Sequence, residues 1–583
     1  MFDALFTTTT EYKKLSHALS GKGACALFGL PASGRAQVYA ALCRQLDKPL
    51  CIVTPGEAEA TRFAADLNTL GIPAAVFPAR DYVLRPIEGT AREYEYRRLA
   101  VLGELVGGRL RAVAVPAEAL TQFTTPKEDF CANTRTLHAG DTLLRDDLLA
   151  ALFGAGYTRR AQVDGPGQFS VRGDIVDIFA PDQKMPVRME FWGDEIDTLH
   201  TFDLTTQRRE DAIDKFYLSP AREVLFGKPA DAAEQLRAFL AKQRGKKKTA
   251  MADCMAADLD LLDGGAVPVN MDKYLAVRYP HPATVLDYFD DPILVAEEPA
   301  SIREADRATA YRRGEELKSL ILDGVLCAGL DNLYADPSYL WSKTGHYRTI
   351  CAENFARSMP DQPLKDIINA PAHTLPAWNG EVAGLLEDLK PLCDAGYTVT
   401  LLAGTDRAAA GLARDLRDKG ILVTTDAAAA PAAGLVQVLA GHLSAGCEFP
   451  FAKYALLTGR AFGETSSQKK KRKKAKDALN SLTEITPGDL VVHQNHGIGR
   501  YAGIQRMAVQ GVTKDYLRIE YDKKDVLYVP VTQLDLLSRY TAPGDSENVK
   551  LSRLGGAEWT KTRKKVRAAT EQMAKELIEL YAR

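Results

Sequence analysis

The hydrophobic period changes repeatedly along these 583 residues, and that restricts the chain to a string of separately packed units. A typical domain of roughly 150 residues makes about four of them. Near the N-terminus, short apolar runs at residues 24–29, 50–54, 74–77 and 112–116 alternate with helical patterns at 35–45, 57–70 and 91–106. That order favours a parallel, doubly wound α/β sheet. From about 126 to 215 the period falls to two. Residues 169–179, 187–191 and 195–202 alternate, with Gly193-Asp194 between the last two, and this reads as a β-rich insert. Helical and α/β patterns return over 216–350. Residues 351–460 form a second, small α/β unit with a strand at 398–402 and a helix at 406–419 ending at Gly420.

A basic run from Lys469 to Lys476 follows Thr465, Ser466 and Ser467, and reads as a flexible linker. It could touch nucleic-acid phosphate, although a solvated linker is the plainer reading. Short strands with turn signals between Ile485 and Tyr540 suggest a small barrel. From Glu558 to Arg583 the apolar residues Trp559, Val566, Ala569, Met573, Leu577 and Leu580 make one helical stripe. The expected map is therefore 1–125 and 216–350 as two parts of one α/β domain, 126–215 as the insert, 351–460, a linker at 461–484, a barrel at 485–540 and a linker and helix at 541–583.

Composition sets the outer limits. Apolar residues at 46% and charged residues at 26% exclude a disordered chain or a collagen. A net charge of -2 excludes a surface coated in basic residues. Nine scattered cysteines with no C-x-x-C pair fit reduced thiols in a cytoplasm, and argue against both disulfides and a zinc site. No secretory leader and no membrane span is expected; the most apolar window, 421–441, is broken by Asp426, Pro431 and Gln437.

One motif points at nucleotide chemistry. Gly29-Leu30-Pro31-Ala32-Ser33-Gly34-Arg35-Ala36 follows a strand and opens a helix, the context of a phosphate loop. A working loop places Lys and Ser/Thr where this chain has Arg35 and Ala36. Alanine cannot ligate Mg²⁺, and a planar guanidinium is no substitute for an ammonium point charge. Downstream, a strand at 293–296 ends in Glu297-Glu298, where an acidic pair would hold the metal. Both halves are read as a degenerate nucleotide site, retained as fold rather than as machinery.

In the insert, Val187, Met189 and Phe191 share one sheet face and should be core, which leaves Arg188, Glu190 and Trp192 on the other. An exposed Trp beside Arg is the composition of a binding hot spot. The competing reading pairs Arg172 and Arg188 with Asp174 and Glu190 across strands. In the barrel, Gly497 and Gly499 flank Ile498 at a tight turn. The strand beginning at Tyr501 then presents Ile504, Arg506 and Ala508 on one side and Gln505, Met507 and Val509 on the other. An open edge there could extend a partner's sheet. His493 and His496 stand three apart with no third ligand nearby in sequence, so no metal is assigned. Gly404-Thr405-Asp406 is read as scaffold.

Taken in order, the phosphate-loop-like turn, FPARDYVLRP with EYEYRRLAVLGEL, QFSVRGDIVDIFAP with PVRMEFWGDEIDTLHTFD, and TVLDYFDDPILVAEE resemble the front of the excision-repair helicase UvrB. With the segment PGDLVVHQNHGIGRYAGIQRM, which is similar to the polymerase-interaction domain of the CarD regulators, the chain resembles the N-terminal half of the bacterial transcription-repair coupling factor (Mfd) family. The stretch between Phe77 and Arg97 is shorter than in UvrB and lacks its DNA-inserting aromatic hairpin, so lesion probing is not expected.

The resemblance implies that the insert binds UvrA, with Arg172, Arg188 and Trp192 at the contact positions. It implies that an SH3/Tudor-like barrel binds the β subunit of RNA polymerase, with Ile504, Gln505, Arg506, Met507 and Ala508 on the contact strand. It also implies that no catalytic residue and no cofactor belong to this chain. ATP, magnesium and most contact with double-stranded DNA would belong to motor domains following Arg583. The chain reads as a monomeric, membrane-free, cytoplasmic adaptor. The rival readings are a UvrB-like nucleotide-hydrolysing helicase and a CarD-like regulator that needs only the barrel.

Overall fold

The computed structural model describes residues 7–86, 92–355, 363–378, 382–430, 432–459, 487–493, 496–508, 513–522, 525–530, 537–540 and 551–553. The expected linker at 461–484, the expected helix at 558–583 and Val509 lie outside these residues.

The first body is built on a seven-stranded sheet in the order β15-β1-β14-β13-β2-β4-β3, with every pairing parallel. Its strands are β1 (Gly23–Phe28), β2 (Leu50–Thr54), β3 (Ala74–Val76), β4 (Ala112–Pro116), β13 (Ile293–Glu297), β14 (Arg348–Glu353) and β15 (Leu364–Asn369). The strands between β4 and β13 belong to the insert.

The central strands are continuous apolar runs because both faces are covered. Leu50 and Ile52 of β2 join Ala112, Ala114, Ile293 and Val295 in one core. Cys51 and Val53 point the other way and join Val113, Val115, Leu294 and Ala296. One alternation thus serves two cores. The large sheet runs past the boundary expected at 350. β14 and β15 both pair with β1, so the second α/β unit starts only after Asn369. The run from Thr349 to Ala352 is fully buried between neighbours from the first body, which fixes it there.

The insert is a six-stranded sheet in the order β11-β10-β9-β8-β7-β6, made of β6 (Thr158–Arg159), β7 (Gln168–Arg172), β8 (Ile175–Phe179), β9 (Val187–Trp192), β10 (Glu195–Phe202) and β11 (Arg209–Ala212). A separate pair, β5 (Arg135–His138) with β12 (Lys215–Leu218), closes its base. The alternating run at 169–179 is two strands, β7 and β8, joined through Gly173 in a left-handed conformation (φ 61°). Val176, Ile178, Val187, Met189, Phe191, Ile196 and Leu199 fill the insert's own core.

The second α/β unit carries a mixed sheet in the order β16-β20-β21-β17-β19-β18: β16 (His373–Leu375), β17 (Thr398–Leu402), β18 (Val423–Thr424), β19 (Val436–Leu439), β20 (Gly446–Phe449) and β21 (Tyr454–Thr458). Thr405 caps the helix Asp406–Asp418 by accepting from the Ala408 N–H at 3.2 Å, which explains the GTD turn as scaffold.

The C-terminal unit is a five-stranded antiparallel sheet, β25-β24-β23-β22-β26, from β22 (Leu490–His493), β23 (Gly497–Ala508), β24 (Thr513–Glu520), β25 (Val526–Pro530) and β26 (Leu537–Arg539). Its core is Val491, Tyr501, Leu517, Ile519, Tyr521, Leu527, Val529 and Leu537. A Cβ added at Gly499 would lie 2.4 Å from Ile519 Cγ2 inside that core. Gly499→Ala is therefore expected to destabilise this sheet by about 1–3 kcal/mol, read as earlier loss of hydrogen-exchange protection over β23 and β24 alone.

Candidate interaction surfaces and a filled phosphate loop

The phosphate-loop turn leaves β1 at Gly29, whose φ of 88° suits glycine. Here the loop is covered by the protein itself. Ala370 N–H donates to Phe28 O at 2.9 Å and Ala372 N–H to Gly29 O at 3.0 Å, so the chain following β15 runs along the turn. The next glycine, Gly34, packs against β20 of the second α/β unit; a Cβ there would meet Cys447 Sγ at 2.8 Å. Ser33 reaches Gly446 O at 3.5 Å.

Arg35, nearly fully buried, bridges the acidic pair. Its Nη2 lies 2.9 Å from Glu297 Oε2 and its Nη1 2.9 Å from Glu298 Oε1. Tyr39 donates its hydroxyl to Glu297 Oε1 at 2.5 Å. Burial pushes the Tyr39 hydroxyl well up, with the Glu297 charge adding to it, so it stays a donor. Burial also raises Glu297, against the pull of Arg35. The carboxylates that would hold a metal are thus both engaged by the side chain standing in the lysine position. Ala36 offers no ligand, and Gly34 is closed over. These residues do not fit a magnesium nucleotide.

On the insert, β9 alternates as its sequence requires: Val187, Met189 and Phe191 are buried, and Trp192 is 83% exposed. Arg172 and Arg188 do not pair with Asp174 and Glu190. Both converge on Asp177 of β8, a fully buried carboxylate directly opposite Arg188 in the ladder. Arg188 binds it in a fork, Nε to Oδ1 at 2.7 Å and Nη2 to Oδ2 at 2.9 Å. Arg172 Nη2 reaches the same Oδ2 at 2.7 Å.

Arg188 also lies over the Phe202 ring, 4.7 Å from its centroid, and donates to Gln207 O at 3.0 Å. Glu190 pairs instead with Arg209, and Asp174 with Arg145. The result is a graded surface. The Arg188 side chain is 12% exposed and that of Arg172 47%, while Trp192 stands out from the hairpin end. Asp177 is the residue that sequence reasoning missed; its signal was the ladder register, which needed the turn at Gly173.

On the C-terminal sheet, β22 pairs with β23 only from Gly497 to Arg500, whereas β24 pairs with β23 as far as Ala508. Among the described residues, Ile504 to Ala508 therefore have one ladder edge filled and one open. A register shift between Tyr501 and Gly503, where Gly503 has φ 111°, bends the strand just before this edge. Ile504 is 42% exposed and Gln505 is exposed. The side chains of Arg506, Met507 and Ala508 lie outside the description, so for them only the backbone placement is given. His493 and His496 meet Glu93 of the first body, a partner that local spacing could not reveal.

The molecule is thus of a definite class: an α/β body, its glycine turn at 29–36 covered by the protein itself, that carries a β-rich insert with an exposed Trp192 and a C-terminal sheet with an open ladder edge among the described residues. The UvrB interaction domain family matches residues 136–224, and the CarD-like/TRCF RID domain family matches residues 485–541. Over 95% of its length the chain is similar to the transcription-repair-coupling factors of Bacillus subtilis (29% identity), Staphylococcus haemolyticus (28%) and Staphylococcus aureus (27%). It resembles their N-terminal region and spans about half, 48%, of the length of these curated relatives. No helix among the described residues is long and apolar enough to cross a membrane.

Proposed function

We propose that this chain is the recruiting half of a transcription-coupled DNA repair factor. In this reading the insert docks UvrA through Trp192 and Arg172, with Arg188 holding Asp177 and the strand register beneath them. The C-terminal sheet docks the β subunit of RNA polymerase by adding the open edge of β23 to a sheet of the partner. In this reading force and duplex-DNA tracking are not assigned to these 583 residues. The observation that carries the reading is a large aromatic, Trp192, held in solvent on the strand that also carries Arg188, in the module matched by the UvrB interaction domain.

A binding titration of the purified chain with UvrA tests it, with RNA polymerase β subunit as the second ligand. Binding to both, with loss of UvrA alone in Trp192→Ala and of polymerase alone in Gln505→Pro, is the expected pattern. Binding to neither partner would reject the reading.

The rival, a nucleotide-hydrolysing helicase, is disfavoured by the filled loop. Restoring consensus residues with Arg35→Lys and Ala36→Thr together is expected to leave the chain without ATP turnover, because Gly34 remains closed against Cys447 and the turn remains covered by the chain at Ala370. Phosphate release by the unaltered chain, abolished by Arg35→Ala, would reverse this.

A further inference from the structure

His493 ends β22, His496 stands just before β23, and Glu93 opens the helix Glu93–Val106 of the first body. One donor atom from each lies within 4.8 Å of the others. Glu93 Oε1 and His496 Nε2 are 3.4 Å apart, and the two imidazole centroids are 4.6 Å apart. Metal–donor bonds of about 2.0–2.1 Å at tetrahedral angles set donor atoms about 3.3–3.4 Å apart. One edge of such a site therefore already has its final length, and the others need close by no more than about 1.4 Å. We propose that His493, His496 and Glu93 form a zinc-class metal site that clasps the C-terminal sheet to the α/β body.

The donor set selects the metal. Two imidazoles and one carboxylate suit Zn²⁺ and its first-row neighbours, whereas Mg²⁺ and Ca²⁺ take oxygen. His493 is fully buried, while Glu93 and His496 keep part of their side chains in solvent. That leaves an approach for the ion and a fourth position for water.

Elements from the body and the C-terminal sheet meet at this point. A metal there would hold β22, and through it the neighbouring strand β23 with its open edge, in a fixed attitude to the body.

The test uses the untagged full chain, stripped with chelator and titrated with Co²⁺. The expected result is one saturable equivalent with visible ligand-field bands and no thiolate charge-transfer band, displaced by Zn²⁺. His496→Ala and Glu93→Gln, both at partly exposed positions, should each weaken binding at least tenfold. Zn²⁺ should slow amide exchange in β22 and in the first turn of the helix Glu93–Val106 together. The proposal is overturned by absence of saturable binding, by equal binding in both variants, by thiolate bands assigning the metal to cysteines, or by binding that leaves exchange at both elements unchanged. In the first of these cases the trio is a plain His496–Glu93 ion pair. None of these readouts depends on UvrA or polymerase, so failure here leaves the adaptor reading standing.

Discussion

Replacing Glu223 with alanine is expected to cost the α/β body about 3–5 kcal/mol, read as a large drop in the denaturant midpoint. Glu223 is fully buried and receives Arg98 in a fork, Nε to Oε1 at 2.7 Å and Nη2 to Oε2 at 3.2 Å. Arg80 Nε also lies 3.0 Å from Oε1. Arg80 extends the network to Asp272 at 2.6 and 3.0 Å, and Arg98 donates to Gln122 Oε1 at 2.9 Å.

Removing the one carboxylate shared by two buried guanidiniums leaves Arg98 with only neutral acceptors, and the cost comes from that uncompensated charge. Glu223→Gln, which keeps the shape and loses the charge, should fall between the two. A midpoint unchanged in the alanine variant would show that water reaches the arginines. The same cluster predicts acid sensitivity. Burial works against the Glu95 carboxylate, but Arg80, Arg92 and Arg222 outweigh it and hold it at about 2. Its folded value lies below the unfolded one, so its contribution is complete above about pH 4.5 and is lost as pH falls toward 2.

The second large effect concerns binding. If the insert docks UvrA as proposed, Trp192→Ala is expected to weaken that affinity about 30-fold, the scale of a hot-spot aromatic, with thermal stability unchanged because the side chain is largely in solvent in the free protein. Arg172→Ala should weaken binding less. Arg188→Ala should weaken binding and also lower the stability of the insert, since Asp177 would stay buried with only the half-exposed Arg172 to neutralise it. The pair of readouts separates contact from support: Trp192 moves affinity alone, and Arg188 moves both. If Trp192→Ala bound UvrA as tightly as the unaltered chain, the docking surface would lie elsewhere.

What the sequence made legible follows physical range. The strands at Leu50–Thr54, Ala112–Pro116 and Glu195–Phe202 were readable because period and punctuation are local. Trp192 was readable because alternation fixes the face of every residue once one face is core. Asp177 was not, since its role depends on the register between β8 and β9, and that register turns on a hairpin at Gly173 hidden inside one alternating run. The membership of β14 and β15 was misplaced because an apolar run does not state which sheet it joins. The closing of Gly34 by Cys447, and the approach of Glu93 to His493 and His496, lie further still beyond local pattern.

The order of strands in the large sheet also dictates a timetable. Both ladder neighbours of β1 are made about 320 residues or more after it. At elongation rates of about 5–20 residues per second, β1 waits some 20 to 60 s on the ribosome before either neighbour exists. The insert, whose strands are contiguous in the chain, can close long before that. A nascent chain would therefore carry a finished insert on an unfinished body, with an apolar strand needing shelter from chaperones until residue 369 has emerged.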